Sequence, residues 1–152
     1  MLSDQQKLLV EKIGLVYEAE GLSPAVSRVL GLLFVSDKPE LTFDEVRETL
    51  QLSKSATSNA LNIAIKLNRV EYITKPGDRK RYFKSNLALW RDNFMEHYKK
   101  KQCWASLMRE VMEQRPKDTK EFNMAMKEFV NFIEYMGEEV PKLYKNWENK
   151  TK

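Results

Sequence analysis

Between Ser53 and Asn62 the chain gathers Ser53, Lys54, Ser55, Thr57, Ser58, Asn59 and Asn62. Hydroxyl and amide side chains both donate and accept hydrogen bonds, so such a run suits recognition of polar edges. Further on, Lys75, Arg79, Lys80 and Arg81 surround Pro76-Gly77-Asp78. A local concentration of cations of this kind attracts a polyanion. No nucleophile with a base beside it, no phosphate-binding glycine loop and no paired carboxylates are visible, which argues against an enzyme. His97 is the only histidine, beside Tyr98 and Lys99, with no carboxylate or cysteine at ligand spacing. It reads as a surface or interface residue, and neither a metal site nor a cofactor is expected. Cys103 is the only cysteine; it reads as a packing thiol and fits a reducing, cytoplasmic setting.

The basic residues are not spread evenly. Residues 1–52 hold five Lys/Arg against nine Asp/Glu, whereas residues 53–84 hold eight against two. The positive charge therefore sits beside the Ser/Thr/Asn run. At 152 residues with 42% hydrophobic and 32% charged side chains, the chain is long enough for one domain with a helical appendage. Its longest apolar runs are too short to span a bilayer, and no signal peptide opens it, so no membrane partner is expected.

These residues need elements to position them. Residues 4–20 read as a helix with Leu9, Ile13 and Val16 or Tyr17 on one face, stopped by Gly21. Ser23-Pro24 reads as the cap and first residue of a second helix to about Val35, with Val26, Val29, Leu30, Leu33 and Phe34 inward. Thr42 and Glu45 form a capping box that starts a short third helix, to about Leu50. Ser53 caps a fourth, which ends near Asn68, a residue that tolerates left-handed geometry. The pattern then changes to two β-rich runs, 70–75 and 81–85, around a Pro-Gly turn: a hairpin with a basic tip. From Asn86 the chain is helical again. Leu87, Trp90, Phe94, Tyr98, Trp104, Leu107, Met108 and Val111 mark a helix to about Gln114. A last helix carries Phe122, Met126, Phe129, Ile133, Met136, Val140, Leu143 and Trp147 at alternating spacings of four and three. That stripe is the seam of a coiled coil or helix pair, with Gly137 and Pro141 as candidate breaks. The expected fold is mainly α with a small β-hairpin.

A short capped helix, a tight turn, a second helix and a basic hairpin are the parts of a winged helix-turn-helix. In that motif the second helix enters the major groove of double-stranded DNA and its first turns meet base edges. Ser and Thr can contact phosphates or bases, and Asn can pair bidentately with adenine. Lys75, Arg79, Lys80 and Arg81 of the wing supply phosphate contacts, the alternative being that Arg79 or Arg81 enters a narrow minor groove.

The stretch "LTFDEVRETLQLSKSATSNALNIAIKLNRVEYITKPGDRKRYFKS" resembles the winged helix of MarR-type transcription regulators. The preceding "GLSPAVSRVLGLLFVSDKPELTFDEV" is similar to the GbsR-like branch of that family. The resemblance covers roughly residues 20–86. It implies a bacterial-type regulator acting as a homodimer on a palindromic operator, often under control of a small-molecule effector. Carried over by position, Ser53, Lys54, Ser55, Ser58, Asn59 and Asn62 fall on the outer face of the recognition helix. Thr57, Leu61 and Ala64 fall at inward positions, Thr57 standing where the family usually has valine or isoleucine. Ile63, Ile65 and Leu67 make the rear of that helix apolar nearly all round, so the wing or a dimer helix is expected to cover it.

The expected organisation is an N-terminal helix over 1–20 that joins the dimerisation region, a DNA-binding domain over 21–86, and a helical dimerisation and effector region over 87–152. The 122–147 stripe would pack across a two-fold axis. Trp90, Phe94, Tyr98 and Trp104 are a candidate effector pocket, since aromatic boxes bind quaternary amines; ordinary core packing is the weightier reading. A different class of function, a winged helix used as a protein-interaction module without DNA binding, would use the aliphatic rear of the fourth helix and the stripe as contact surfaces.

Overall fold

The computed structural model describes residues 2–151; the side chains of His97 and Thr151 are outside that description, and with them the reading of His97. The chain is mainly helical with a small three-stranded antiparallel sheet. It divides into two units, Met1–Trp90 and Arg91–Lys152.

In the first unit α1 (Asp4–Ala19) starts from a capping box between Ser3 and Gln6. α2 (Pro24–Val35) begins with proline at its first turn, but the Ser23 hydroxyl makes no capping bond. Proline at the first position needs no amide partner and brings a φ already suited to the helix, so the start of α2 rests on Pro24 rather than on a side-chain cap. The two helices meet at small residues. A Cβ at Gly31 would lie 2.9 Å from the Val10 carbonyl oxygen, so α1 crosses α2 backbone against side-chain gap. That approach selects the face of α1. Val10 and Gly14 are buried and Ile13 and Tyr17 half-buried, whereas Leu9 and Val16, expected inward, are exposed. Phe34 is also more exposed than its position in the pattern suggests. It stacks on Tyr17 with ring centroids 6.5 Å apart, and Leu32 takes a buried place in its stead.

The Thr42 capping box forms as expected. The Glu45 amide donates to Thr42 Oγ1 at 3.2 Å, and the Thr42 amide donates to Glu45 Oε2 at 2.7 Å. It opens α3 (Phe43–Thr49), which buries Phe43 and Val46. α4 (Lys54–Lys66) follows a four-residue turn and packs on α2 and α3. The hairpin is β2 (Val70–Ile73) and β3 (Tyr82–Ser85), with Tyr72 opposite Phe83 and Ile73 opposite Tyr82. A further strand, β1 (Leu41–Thr42), pairs with the other edge of β3 and gives the order β1-β3-β2. Two residues are too short a run to show an alternating pattern, so this strand was not visible in the sequence. Val26, Val29, Leu30 and Leu32 of α2, Val46, Leu61, Val70 and Phe83 make the core on which the helix-turn-helix and wing are seated.

A single 3-10 turn, Leu87–Leu89, leads into α5 (Trp90–Gln114), and α6 (Lys120–Thr151) follows. In the second unit the two helices run antiparallel. The Gln102 amide donates to the Ile133 carbonyl at 2.8 Å, Arg109 pairs with Glu134, and Arg115 donates to Asn123 at 3.0 Å beside the connection. α6 continues through Gly137 and Pro141 without the break allowed for at these residues. Proline deprives only the Gly137 carbonyl of its partner, and the missing side chain at Gly137 is where Gln102 packs. The buried apolar residues of this unit are Ala105 and Val130. The 122–147 stripe lies beside that contact: Met126, Ile133, Met136 and Val140 are half-buried, and Phe122, Phe129, Leu143 and Trp147 exposed. Arg115 lies 4.1 Å from the ring centroid of Phe122, and Arg91 5.3 Å from that of Trp147. Among the described residues no helix is long and apolar enough to cross a membrane.

Candidate nucleic-acid interface

α4 starts where the sequence places its cap. Ser53 Oγ accepts from the Ala56 amide at 3.2 Å and lies 3.1 Å from Ser55 Oγ, so the Ser53 hydroxyl is committed to the helix end. Thr57 is fully buried. Its hydroxyl donates to the Ser53 carbonyl at 2.9 Å, which satisfies a polar group inside the core. Ala60, Leu61 and Ala64 complete the inward face, Ala60 being one the sequence reading did not single out. Ser53, Lys54, Ser55, Asn59 and Asn62 are exposed, and Ser58 is half-buried. Ser55, Asn59 and Asn62 recur at four- and three-residue spacing and so form one row along the helix. Lys66 is exposed and extends the same row by one turn; its spacing to Asn62 was the signal for it. Among the described residues no hydrogen bond or ion pair engages the side chains of Lys54, Asn59 or Asn62.

The aliphatic rear of α4 has several fates. Ile63 and Ile65 are half-buried against the core. Ile65 also lines a cleft of about 370 Å³ between α4 and the wing strands, with Leu61, Phe43, Tyr72 and Phe83 beneath and Ser58, Asn62 and Arg81 at its rim. The wing therefore covers part of this surface. Leu67 remains 44% exposed.

In the wing the four predicted cations divide into two pairs. Lys75 forms an ion pair with Glu40 and lies 4.2 Å from the Tyr82 ring centroid. Arg81 lies 5.0 Å from the ring centroid of Phe43. These two are engaged with their own fold. Arg79 and Lys80 are exposed at the tip, and among the described residues no ion pair holds either side chain. The tip is a turn with Gly77 at φ 77°, where a side chain would be strained. Asp78 closes it. Its Oδ1 accepts from the Lys80 amide at 2.9 Å and its Oδ2 accepts from the Tyr82 hydroxyl at 2.6 Å. The Tyr82 bond, then the Lys80 amide, holds the Asp78 carboxyl below its ordinary range. The Glu40 contact pushes the Lys75 ammonium up.

Of the aromatic residues considered for an effector pocket, Trp90 opens α5, with Phe94, Tyr98 and Trp104 following along it. Phe94 and Trp104 are ten residues apart, roughly 15 Å along the helix axis. Phe94 and Trp104 are exposed, and Tyr98 is half-buried and accepts from Gln102 Nε2 at 3.2 Å. Among the described residues no group of three or more His, Cys, Asp or Glu is placed to hold a metal ion.

No protein-family model matches the chain, and no curated protein matches it. It is similar in structure to several solved proteins. One is a crystal structure of a transcriptional regulator, 20% identical, with a TM-score of 0.73 over 95% of this chain and 99% of that one. A mutant of MarR from E. coli is 15% identical, with a TM-score of 0.43 over 92% and 97%. FabT of Streptococcus pneumoniae, in complex with DNA, is 14% identical, with a TM-score of 0.41 over 94% and 89%. Together with the geometry above, the first likeness establishes the fold: a mainly helical chain built around a winged helix-turn-helix.

Proposed function

We propose that this chain is a sequence-specific double-stranded DNA-binding transcription regulator of the MarR type, in its GbsR-like branch. It acts as a homodimer on a palindromic operator. The observation that carries this reading is the pairing of two surfaces in one unit. Among the described residues, α4 presents a polar row at Ser55, Asn59 and Asn62 in which both amide side chains are unengaged, and the wing presents Arg79 and Lys80 without an ion pair. The row suits base edges in the major groove, and the tip suits the phosphate backbone. Lys54, Ser58, Lys75 and Arg81 flank those surfaces, Lys75 and Arg81 with a structural duty in addition. Ser53 serves first as the cap.

Dimerisation is assigned to the apolar surface of α6, from Phe122 through Phe129 and Leu143 to Trp147. Apolar side chains exposed in such number on helices mark an interaction surface. Trp90, Phe94, Tyr98 and Trp104 are not assigned to an effector box: Trp90, Phe94 and Trp104 are exposed, and Tyr98 is half-buried beside Gln102. The test is selection of bound duplexes from a random pool. A palindromic consensus with half-sites about one helical turn apart is the expected outcome. Absence of enrichment, with a different protein co-purifying at equal stoichiometry, would overturn the reading in favour of a protein-interaction module.

A further inference from the structure

Tyr82 touches the wing loop on both sides of its tip. Its hydroxyl donates to Asp78 Oδ2 at 2.6 Å, and the other oxygen of Asp78 accepts from the Lys80 amide at 2.9 Å. The face of the same ring carries the Lys75 ammonium 4.2 Å from its centroid, and Glu40 holds that ammonium from the far side. The Tyr82 backbone is fixed between Thr42 of β1 and Ile73 of β2. One side chain on the central strand thus ties down residues 75 and 78, and through Asp78 the backbone at residue 80. Among the described residues no ion pair holds Arg79 or Lys80, which lie between these anchors and Arg81.

We propose that Tyr82 is a positioning residue for DNA binding: it orders the wing loop so that Arg79 and Lys80 meet the phosphate backbone without first being immobilised. The proposal rests on the DNA-binding reading above. A loop ordered in advance loses less conformational freedom on association, and this strengthens binding without any added contact. The phenol itself carries no charge to a phosphate, so its removal leaves the number of displaced counterions unchanged.

Tyr82→Phe isolates the effect, because it keeps the ring, the strand pairing and the Lys75 contact and removes only the hydroxyl. Affinity for the selected duplex is measured across salt concentrations for the native chain, Tyr82→Phe, Lys80→Ala, Arg79→Ala/Lys80→Ala, and the last combined with Tyr82→Phe. Because the lost hydrogen bond acts only through the order of the loop, binding is expected to weaken by about three- to tenfold. The salt slope of Tyr82→Phe should match the native one, whereas Lys80→Ala lowers it by about 1. In the Arg79→Ala/Lys80→Ala background Tyr82→Phe should cost nothing more. Unchanged affinity, a slope that falls as in Lys80→Ala, or a penalty that persists in the combined variant each overturns the proposal. A second measurement needs no DNA. Backbone order parameters of residues 77–81 should fall in Tyr82→Phe, and unaltered values overturn the proposal. If the native chain binds no duplex while those order parameters fall as expected, the regulator reading is what has failed.

Discussion

Thr57 and Asn59 stand two residues apart on α4 and meet opposite surroundings. Thr57 is fully buried and its hydroxyl returns to the Ser53 carbonyl, which also accepts from the Thr57 amide at 2.9 Å. Replacing that hydroxyl with a methyl group therefore leaves the Ser53 carbonyl satisfied. Thr57→Val is expected to change stability by less than about 1 kcal/mol in urea denaturation and to leave sequence preference intact. A loss of several kcal/mol would show that the hydroxyl holds the first turn together. Asn59 is exposed with its amide unengaged among the described residues. Asn59→Ala is expected to relax discrimination at one base pair by about 1–3 kcal/mol, while Lys80→Ala weakens all duplexes alike. Equal losses on every sequence from both variants would remove Asn59 from base readout. The inward position of Thr57 and the outward set were legible because side-chain spacing on a helix fixes their faces. That the Ser53 hydroxyl is used up in capping was legible only in part, since Ser55 shares it.

At the scale of elements, helix ends carry much of the local specification. α1, α3 and α4 all finish with a left-handed residue followed by a backbone bond to the last turn: Gly21, Gln51 and Asn68. For α3 the Gln51 amide donates to the Glu48 carbonyl and the Leu52 amide to the Arg47 carbonyl. Glutamine has no local advantage at φ 52°, so Gln51→Gly is expected to raise stability by roughly 0.5–1 kcal/mol. A decrease in the thermal midpoint would show that the Gln51 side chain has a role of its own. At the start of α3, the Lys38 ammonium 2.5 Å away, followed by the Thr42 amide, lowers the Glu45 carboxyl from 4.5 to about 2. Because the folded value is depressed, the stabilisation is complete above the unfolded value and is lost as pH falls from about 4.5 toward about 2. Glu45→Gln should flatten the stability profile in that window and leave its shape above it unaltered; an unchanged acid limb would remove the capping box from the account. The capping box, the hairpin and Asn68 were readable from single residues with strong local preferences. The faces of α1 and α2 were not, because Gly31 lets the two backbones approach and so chooses Val10 and Gly14 over Leu9 and Val16. Such a choice depends on the partner helix, which a periodic pattern in one segment does not contain. β1 and the αL residue Gln51 are equally products of context, set by β3 and by the next helix.

The whole molecule is short of internal partners for its apolar side chains. In the second unit α5 and α6 bury Ala105 and Val130, yet Trp104, Leu107, Phe129, Phe132 and Leu143 are exposed. Two antiparallel helices joined this way offer each other one face only, and a core this small returns little against the conformational entropy of ordering them. The 122–147 stripe, read from its spacing alone, lies beside the α5 contact, and the residue α6 does turn inward, Val130, lies outside the stripe. On the homodimer reading proposed above, this open seam is the surface a second copy would close by two-fold symmetry. Folding of this unit should then depend on association, so the urea midpoint is expected to rise with protein concentration. Phe129→Asp places a charge in the middle of the seam. It is expected to shift sedimentation toward the monomer, to remove the concentration dependence and to lower the midpoint. Affinity for a full palindrome should fall toward that for a half-site, because the second half-site is no longer bound intramolecularly. The first unit's core shares no residue with the stripe, so its helical signal should persist at low urea in the same variant. A Phe129→Asp chain that remains dimeric at native affinity would move the interface elsewhere, to the exposed Leu8 and Leu15 of α1.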